Sequence, residues 1–330
     1  MPSPAVQVTI DNRARLMSAA LSATAWPEME QGRHRHRPHI HARRTAQRVA
    51  GLAGHPAVVT LQGLLDAGTP LERLFTYALN LTWPDLRLAG EFAWAPSGWN
   101  DGLRDFSEQA GLAAWWDEED ALWHRAVEQM EQAVQPADLA RFFEPFVGPV
   151  RQALVAMPNI SFPSDAEIGV RLPGTLVCIM PPRVAWGDNE PWPFDDDPAT
   201  VLRGLVMAYG RLLIQGYLRE HAAEAAAAAR DPLSVDPAVA ARFPTWDEQF
   251  TWLFGLGAVP IFLEGTMGQQ EADAYILMES KVHGATMLPG VVSVLRQYLA
   301  GYAEGRYAGL SEFLPGFSGQ LRAAQDTIAR

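Results

Sequence analysis

Between residues 159 and 187 the chain changes its period, and no other stretch does so convincingly. Ile160-Ser-Phe, Glu167-Ile-Gly-Val-Arg-Leu and Thr175-Leu-Val-Cys-Ile-Met are short apolar runs cut by Pro163, Pro173, Gly174, Pro181 and Pro182. Elsewhere the apolar residues recur at helical spacing, apart from a weak alternation at 6–10 that suits a short strand. One small sheet among many helices leaves each helix to be covered by another helix or by that sheet. The fold class that follows is α+β and predominantly α-helical, with the helices packed around one small antiparallel sheet.

The helices are marked by their ends. Residues 12–25 carry Leu16, Ala19, Ala20 and Ala23 on one face. Two helices lie between His55 and Leu81, with Pro56 and Pro70 at first-turn positions and Gly68 at a C-cap. Residues 82–100 read as a loop. Helices follow over 101–113, 117–134 and 137–156. Asp197 as N-cap and Pro198 at N1 open a long helix that runs towards Arg230. Further helices are expected at 237–242, 245–264, 269–283, 290–303 and 317–329. With no repeat and no long linker, the expected organisation is a single module over 1–330. Its N-terminal helical part is 1–157, and 158–330 carries the sheet and the long helix.

Charge narrows the function classes. The chain has 26 basic and 38 acidic residues, a formal net charge of −12. Binding of nucleic acid or of an anionic membrane needs a basic face, so neither is expected as a partner. No 18-residue apolar stretch and no signal-peptide pattern occur, and a cytoplasmic protein is the expectation. Cys178, the one cysteine, sits among Leu176, Val177, Ile179 and Met180 and reads as a buried thiol. No nucleophile elbow, P-loop or dinucleotide fingerprint is present.

Four passages resemble, in the same order, an uncharacterised bacterial family of gluzincin-like predicted metallopeptidases, known only as a domain of unknown function. They are His55-Pro-Ala-Val-Val, Asp66-Ala-Gly-Thr-Pro-Leu-Glu, Val206-Met-Ala-Tyr-Gly-Arg-Leu-Leu-Ile-Gln-Gly-Tyr and Arg306-Tyr-Ala-Gly-Leu-Ser-Glu-Phe-Leu-Pro-Gly-Phe. The third is similar to that family's active helix, where two histidines of an HExxH motif bind zinc and the glutamate activates water. The resemblance implies a zincin-like fold. It places Met207, Ala208 and Arg211 at the three motif positions, where thioether, methyl and guanidinium groups cannot replace two imidazoles and a carboxylate. No catalytic residue and no cofactor are expected, and zinc is expected to be absent from the cleft.

In such a fold the third zinc ligand is a glutamate on a following helix, and Glu248 is the match. Thr245-Trp-Asp-Glu248 also reads as a capping box. The helix around Arg211 is apolar on several faces, so this residue is expected to be at least partly buried and to pair with an acidic side chain, Glu248 first.

Other constellations carry bland and functional readings together. His34, His36, His39 and His41, half of the eight histidines, alternate in a way that can bind a transition metal, but Arg33, Arg35, Arg37, Arg43 and Arg44 oppose a cation. The favoured reading is a solvated surface segment. Asp188, Glu190, Asp195, Asp196 and Asp197 can cap the next helix or hold a hard cation. Six of the eleven tryptophans lie between Trp83 and Trp123 and read first as core and loop anchors. His124, His221 and His283 have no histidine one turn away and read as structural or solvated.

The function these features favour is a non-catalytic, zincin-like pseudo-peptidase that binds a peptide or protein or acts structurally. The alternatives are a hydrolase without HExxH, using Glu248, Arg211, Tyr209 or Gln215 in the same cleft, and a metal-binding or scaffold protein using residues 34–41.

Overall fold

In the computed structural model the described residues are 5–31, 39–183 and 193–328. The chain is 64% helical with one small four-stranded mixed sheet, the α+β class expected. It forms two compact units that interleave along the sequence. A sheet unit takes Gln7–Gln135 and Val155–Val201, and a helical unit takes Met1–Val6, Pro136–Leu154 and Leu202–Arg330. The expected parts 1–157 and 158–330 cut across both.

In the sheet unit a strand β1 (Val6–Val8) precedes eight helices. They are α1 (Asn12–Ser22), α2 (Trp26–Gln31), α3 (Ile40–Val49), α4 (Pro56–Asp66), α5 (Leu71–Leu79), α6 (Trp99–Gln109), α7 (Leu112–Glu118) and α8 (Asp120–Val134). The strands β2 (Ala153–Pro158), β3 (Ile168–Leu172) and β4 (Thr175–Met180) complete a sheet of order β1-β2-β4-β3. β3 and β4 pair antiparallel, with Val170 opposite Val177. Pro173 fixes the first corner between them and Gly174, at φ 71°, takes the left-handed second corner. β2 and β4 are buried along nearly their whole length, as continuous apolar runs in central strands should be.

Two expectations about strands are corrected. The helix expected over 137–156 stops at Val147, because Gly148 has φ 75° and Pro149 has no N–H to continue it. Ala153–Pro158 is instead a strand, so the sheet is mixed rather than wholly antiparallel. Ile160-Ser-Phe162 lies in a turn after it. The core of the sheet unit gathers Leu16, Met17 and Leu21 of α1, Leu74 and Phe75 of α5, and Ile168, Val170, Val177 and Ile179 of the sheet. Phe162 meets Phe75 edge-on at 5.7 Å, and Tyr77 stacks on Trp99 at 4.6 Å. A buried polar thread crosses this core. Asn159 donates to Ser18 Oγ at 2.8 Å, and Ser161 donates to Asn159 at 3.0 Å.

The helical unit begins with α9 (Leu139–Val147). The long helix α10 (Pro198–Glu220) enters it at Leu202. It continues through α11 (Ala222–Ala228), α12 (Pro237–Arg242), α13 (Trp246–Thr266), α14 (Gln269–Lys281), α15 (Leu288–Ala303), α16 (Leu310–Phe313) and α17 (Phe317–Ile328). α13 is apolar around its circumference and packs against both α14 and α15. The Pro145 carbonyl of α9 lacks a donor four residues on, because that position is Pro149. The Tyr298 hydroxyl of α15 donates to it instead. Among the described residues no helix is long and apolar enough to cross a membrane.

Candidate functional site

Helix α10 starts where its sequence says it should. The Asp197 carboxylate accepts from the Thr200 hydroxyl at 2.8 Å and from Arg183 at 2.6 Å, and Pro198 takes the first helical position. Within the helix, Arg203, Met207 and Arg211 are four residues apart and share one face. All three are half-buried, whereas Ala208 is buried.

Met207 and Arg211 meet Gly255 of α13. A β-carbon on Gly255 would lie 2.6 Å from Met207 Sδ and 3.4 Å from Arg211 Cγ. The two helices approach this closely only because position 255 has no side chain. One turn away, Gly210 of α10 is close to two rings, with a β-carbon there 3.2 Å from Phe143 and 3.4 Å from Phe254. This face of α10 is thus used for packing, with the Met207 thioether filling the space over Gly255.

Glu248 does not reach this contact. It lies seven residues from Gly255, about 10 Å along the helix. Its side chain is exposed, accepting from the Thr245 backbone N–H at 3.0 Å and from the Thr245 hydroxyl at 2.8 Å. The Thr245 oxygen in turn accepts from the Glu248 N–H, which completes a capping box. The expected Arg211–Glu248 ion pair is not made, because the cap has taken the carboxylate. Tyr209 is fully buried, which takes its ring away from any open cleft.

A polar series that sequence reasoning missed runs along α14 and just past its end. Glu271, Tyr275 and Glu279 of the helix and His283 beyond it follow one another at four-residue spacing. Arg203 Nη2 is 3.6 Å from Glu271, and its guanidinium lies 5.5 Å from the centroid of the buried Tyr275 ring. Burial raises the Glu279 carboxyl above its usual range, against the pull of His283 and Arg203. The signal was available as an i, i+4, i+8, i+12 series, but no member alone marks a site.

The histidine-rich segment is described only in part, since His34 and His36 lie outside the described residues, as do Asp188 and Glu190. His39 corrects the solvated reading: it is 3% exposed and caps α3, accepting from the Ala42 N–H through Nδ1 at 3.3 Å. Its ring also interacts with the Phe162 backbone. Burial pushes its pKa down to about 3, and the neighbouring His41, with ring centroids 6.1 Å apart, pushes the same way. The cap occupies Nδ1, while the buried Nε2 has no hydrogen-bond partner among the described residues. His41 is half-buried.

His55 is a second capping histidine. Nδ1 accepts from the Ala57 N–H at 3.2 Å, so Nε2 carries the proton that faces Asp105 Oδ2 at 3.0 Å. That contact, with Gln109, holds the Asp105 carboxyl below its usual range. Asp195 and Asp196 precede the α10 cap. His124 is exposed beside Asp120, and the His221 ring packs at a tilt against Tyr217, centroids 4.2 Å apart. Cys178 is fully buried and its thiol is pushed well up by that burial. Among the described residues no three His, Cys, Asp or Glu side chains gather as a metal site would require. The chain matches no protein-family model, no curated protein and no solved structure.

Proposed function

We propose that this chain is a non-catalytic, zincin-like module in which a former metallopeptidase helix has become a packing helix, and that it works by binding a peptide or protein. The observation that carries the reading is the contact of Met207 and Arg211 with Gly255. Thioether and guanidinium stem fill the space that a metal and its water would need on that face. Glu248, committed to the capping box, supplies no third ligand. A scaffold held by apolar packing survives the loss of a few site residues, so retention of the fold without the chemistry is physically reasonable. Leu277 and Val282 of the α14 region are 61% and 73% exposed, apolar surface of the kind a partner would cover.

The test uses untagged full-length protein. Metal content is measured by mass spectrometry, and cleavage of a mixed peptide pool is followed with and without added Zn²⁺. The expected result is substoichiometric zinc and no cleavage. Stoichiometric zinc that disappears in Glu248→Ala would overturn the non-catalytic reading. Selection from a displayed peptide library tests the binding half. Enriched sequences should bind Leu277→Asp and Val282→Asp at least tenfold more weakly, and a selection that enriches nothing removes that half.

A further inference from the structure

The sheet unit contains a buried cation whose hydrogen-bonding edge is unmatched. Arg15 of α1 is 6% exposed, and its guanidinium is held between two indoles, 4.4 Å from the Trp116 centroid and 4.0 Å from that of Trp123. Trp116 belongs to α7 and Trp123 to α8, so the arginine joins α1 to the elbow between those helices. Trp83 continues the pile, 5.9 Å from Trp116. Stacking of this kind stabilises the charge but satisfies none of its N–H groups. Nη1 donates to Asn12 Oδ1 at 3.0 Å, whereas buried Nε and Nη2 have no hydrogen-bond partner among the described residues.

Nε and Nη2 form the side-on edge of the guanidinium, two parallel donors suited to one anion. Leaving both unmatched in a desolvated site is costly, because a buried charge needs pairing and hydrogen bonds together. The strain registers in the acidity. Burial brings the Arg15 pKa down to about 9, and the charges of Glu119, Asp120 and Asp117 recover only part of the loss. None of these three carboxylates makes an ion pair with Arg15, although Glu119 sits at the elbow itself, between α7 and α8.

We propose that the Nε–Nη2 edge of Arg15 is a binding site for a small monovalent anion, chloride or a short carboxylate such as formate, which staples α1 to the α7–α8 elbow. The size limit follows from burial, because two donors closed to solvent admit only a small anion. The charge limit follows from the acidic surroundings: Asp117, Glu119 and Asp120 repel a multiply charged anion far more than a single charge, so sulfate and phosphate are selected against. Among the described residues, Arg15 and Arg44 are the cations whose charges act on Glu119.

Chloride and formate are titrated into the full chain at constant ionic strength, with sulfate as the matched control, while Tm and ³⁵Cl line width are followed. The expected result is a saturable rise in Tm with chloride and with formate but not with sulfate, and chloride line broadening that formate reverses. Arg15→Lys keeps the charge but loses the paired edge, so it should weaken the effect at least tenfold. Arg15→Met should abolish it. A wild-type response that is absent, or equal for sulfate, overturns the proposal and leaves water as the acceptor. A response undiminished in Arg15→Lys marks an adventitious ion only. Where either variant fails to fold, the wild-type comparison of chloride, formate and sulfate decides alone.

Discussion

At the scale of single residues, two positions make sharp predictions. His39 is buried as the neutral ring, its pKa lowered from 6.5 to about 3. A base with a depressed pKa contributes its full stability above the unfolded value and loses it as pH falls. The acid limb should therefore steepen between pH 6.5 and about 3, by up to ~1.4 kcal/mol per pH unit. His39→Asn keeps a capping side chain and removes the titration, so denaturant melts across that range should flatten. An unchanged limb would place the acid sensitivity elsewhere. At Gly255, the added methyl of Gly255→Ala collides with Met207 Sδ and should destabilise by about 1–3 kcal/mol. Met207→Ala removes the collision. In a double-mutant cycle the pair should cost less than the sum of the singles, and strict additivity would show that the two helices separate instead. Neither site was legible in the sequence. His39 was read from its arginine-rich neighbours, whereas its burial depends on chain far away, at Phe162. The role of Gly255 exists only once its partner helix is known.

At the scale of elements, legibility follows locality. The starts of α10 and α13 were readable because Asp197-Pro198 and Thr245…Glu248 carry their own hydrogen-bond partners within four residues. Thr245→Ala should cost about 1 kcal/mol, measured by urea denaturation. If Glu248 serves only the cap, Glu248→Gln should change metal content not at all. β2 was misread because Leu154-Val155-Ala156-Met157 is apolar without alternation. A fully buried strand and a helix segment look alike at that length. Gly148 and Pro149 were the local signal that separates them. The packing of α10 was less legible: Met207 and Arg211 meet Gly255 of a later helix, which no local signal marks, and the expected Arg211–Glu248 pair is not made, with Glu248 in the capping box instead.

At the scale of the whole molecule, the chain passes between its two units near residues 6, 135, 154 and 201. A single cut at the apparent sequence midpoint therefore damages both. A fragment of 1–157 lacks β3 and β4, against which its own helices pack. A fragment of 158–330 lacks α9, whose Phe143 and Phe146 lie against Phe254 of α13. Neither fragment should give a cooperative thermal transition, although both retain helix-forming sequences. A sharp melt from either one, followed by circular dichroism, would contradict the division.

The same interleaving sets an order of events during synthesis. The apolar face of α5, including Leu74 and Phe75, leaves the ribosome roughly 90 residues before the strand β3 that covers it. At a translation rate of about 5–20 residues per second that is an interval of about 5–20 s with an uncovered core face. The nascent sheet unit is therefore a natural client for a holding chaperone. Slowing elongation between residues 80 and 168 should lower the yield of soluble protein more than the same delay placed after residue 202.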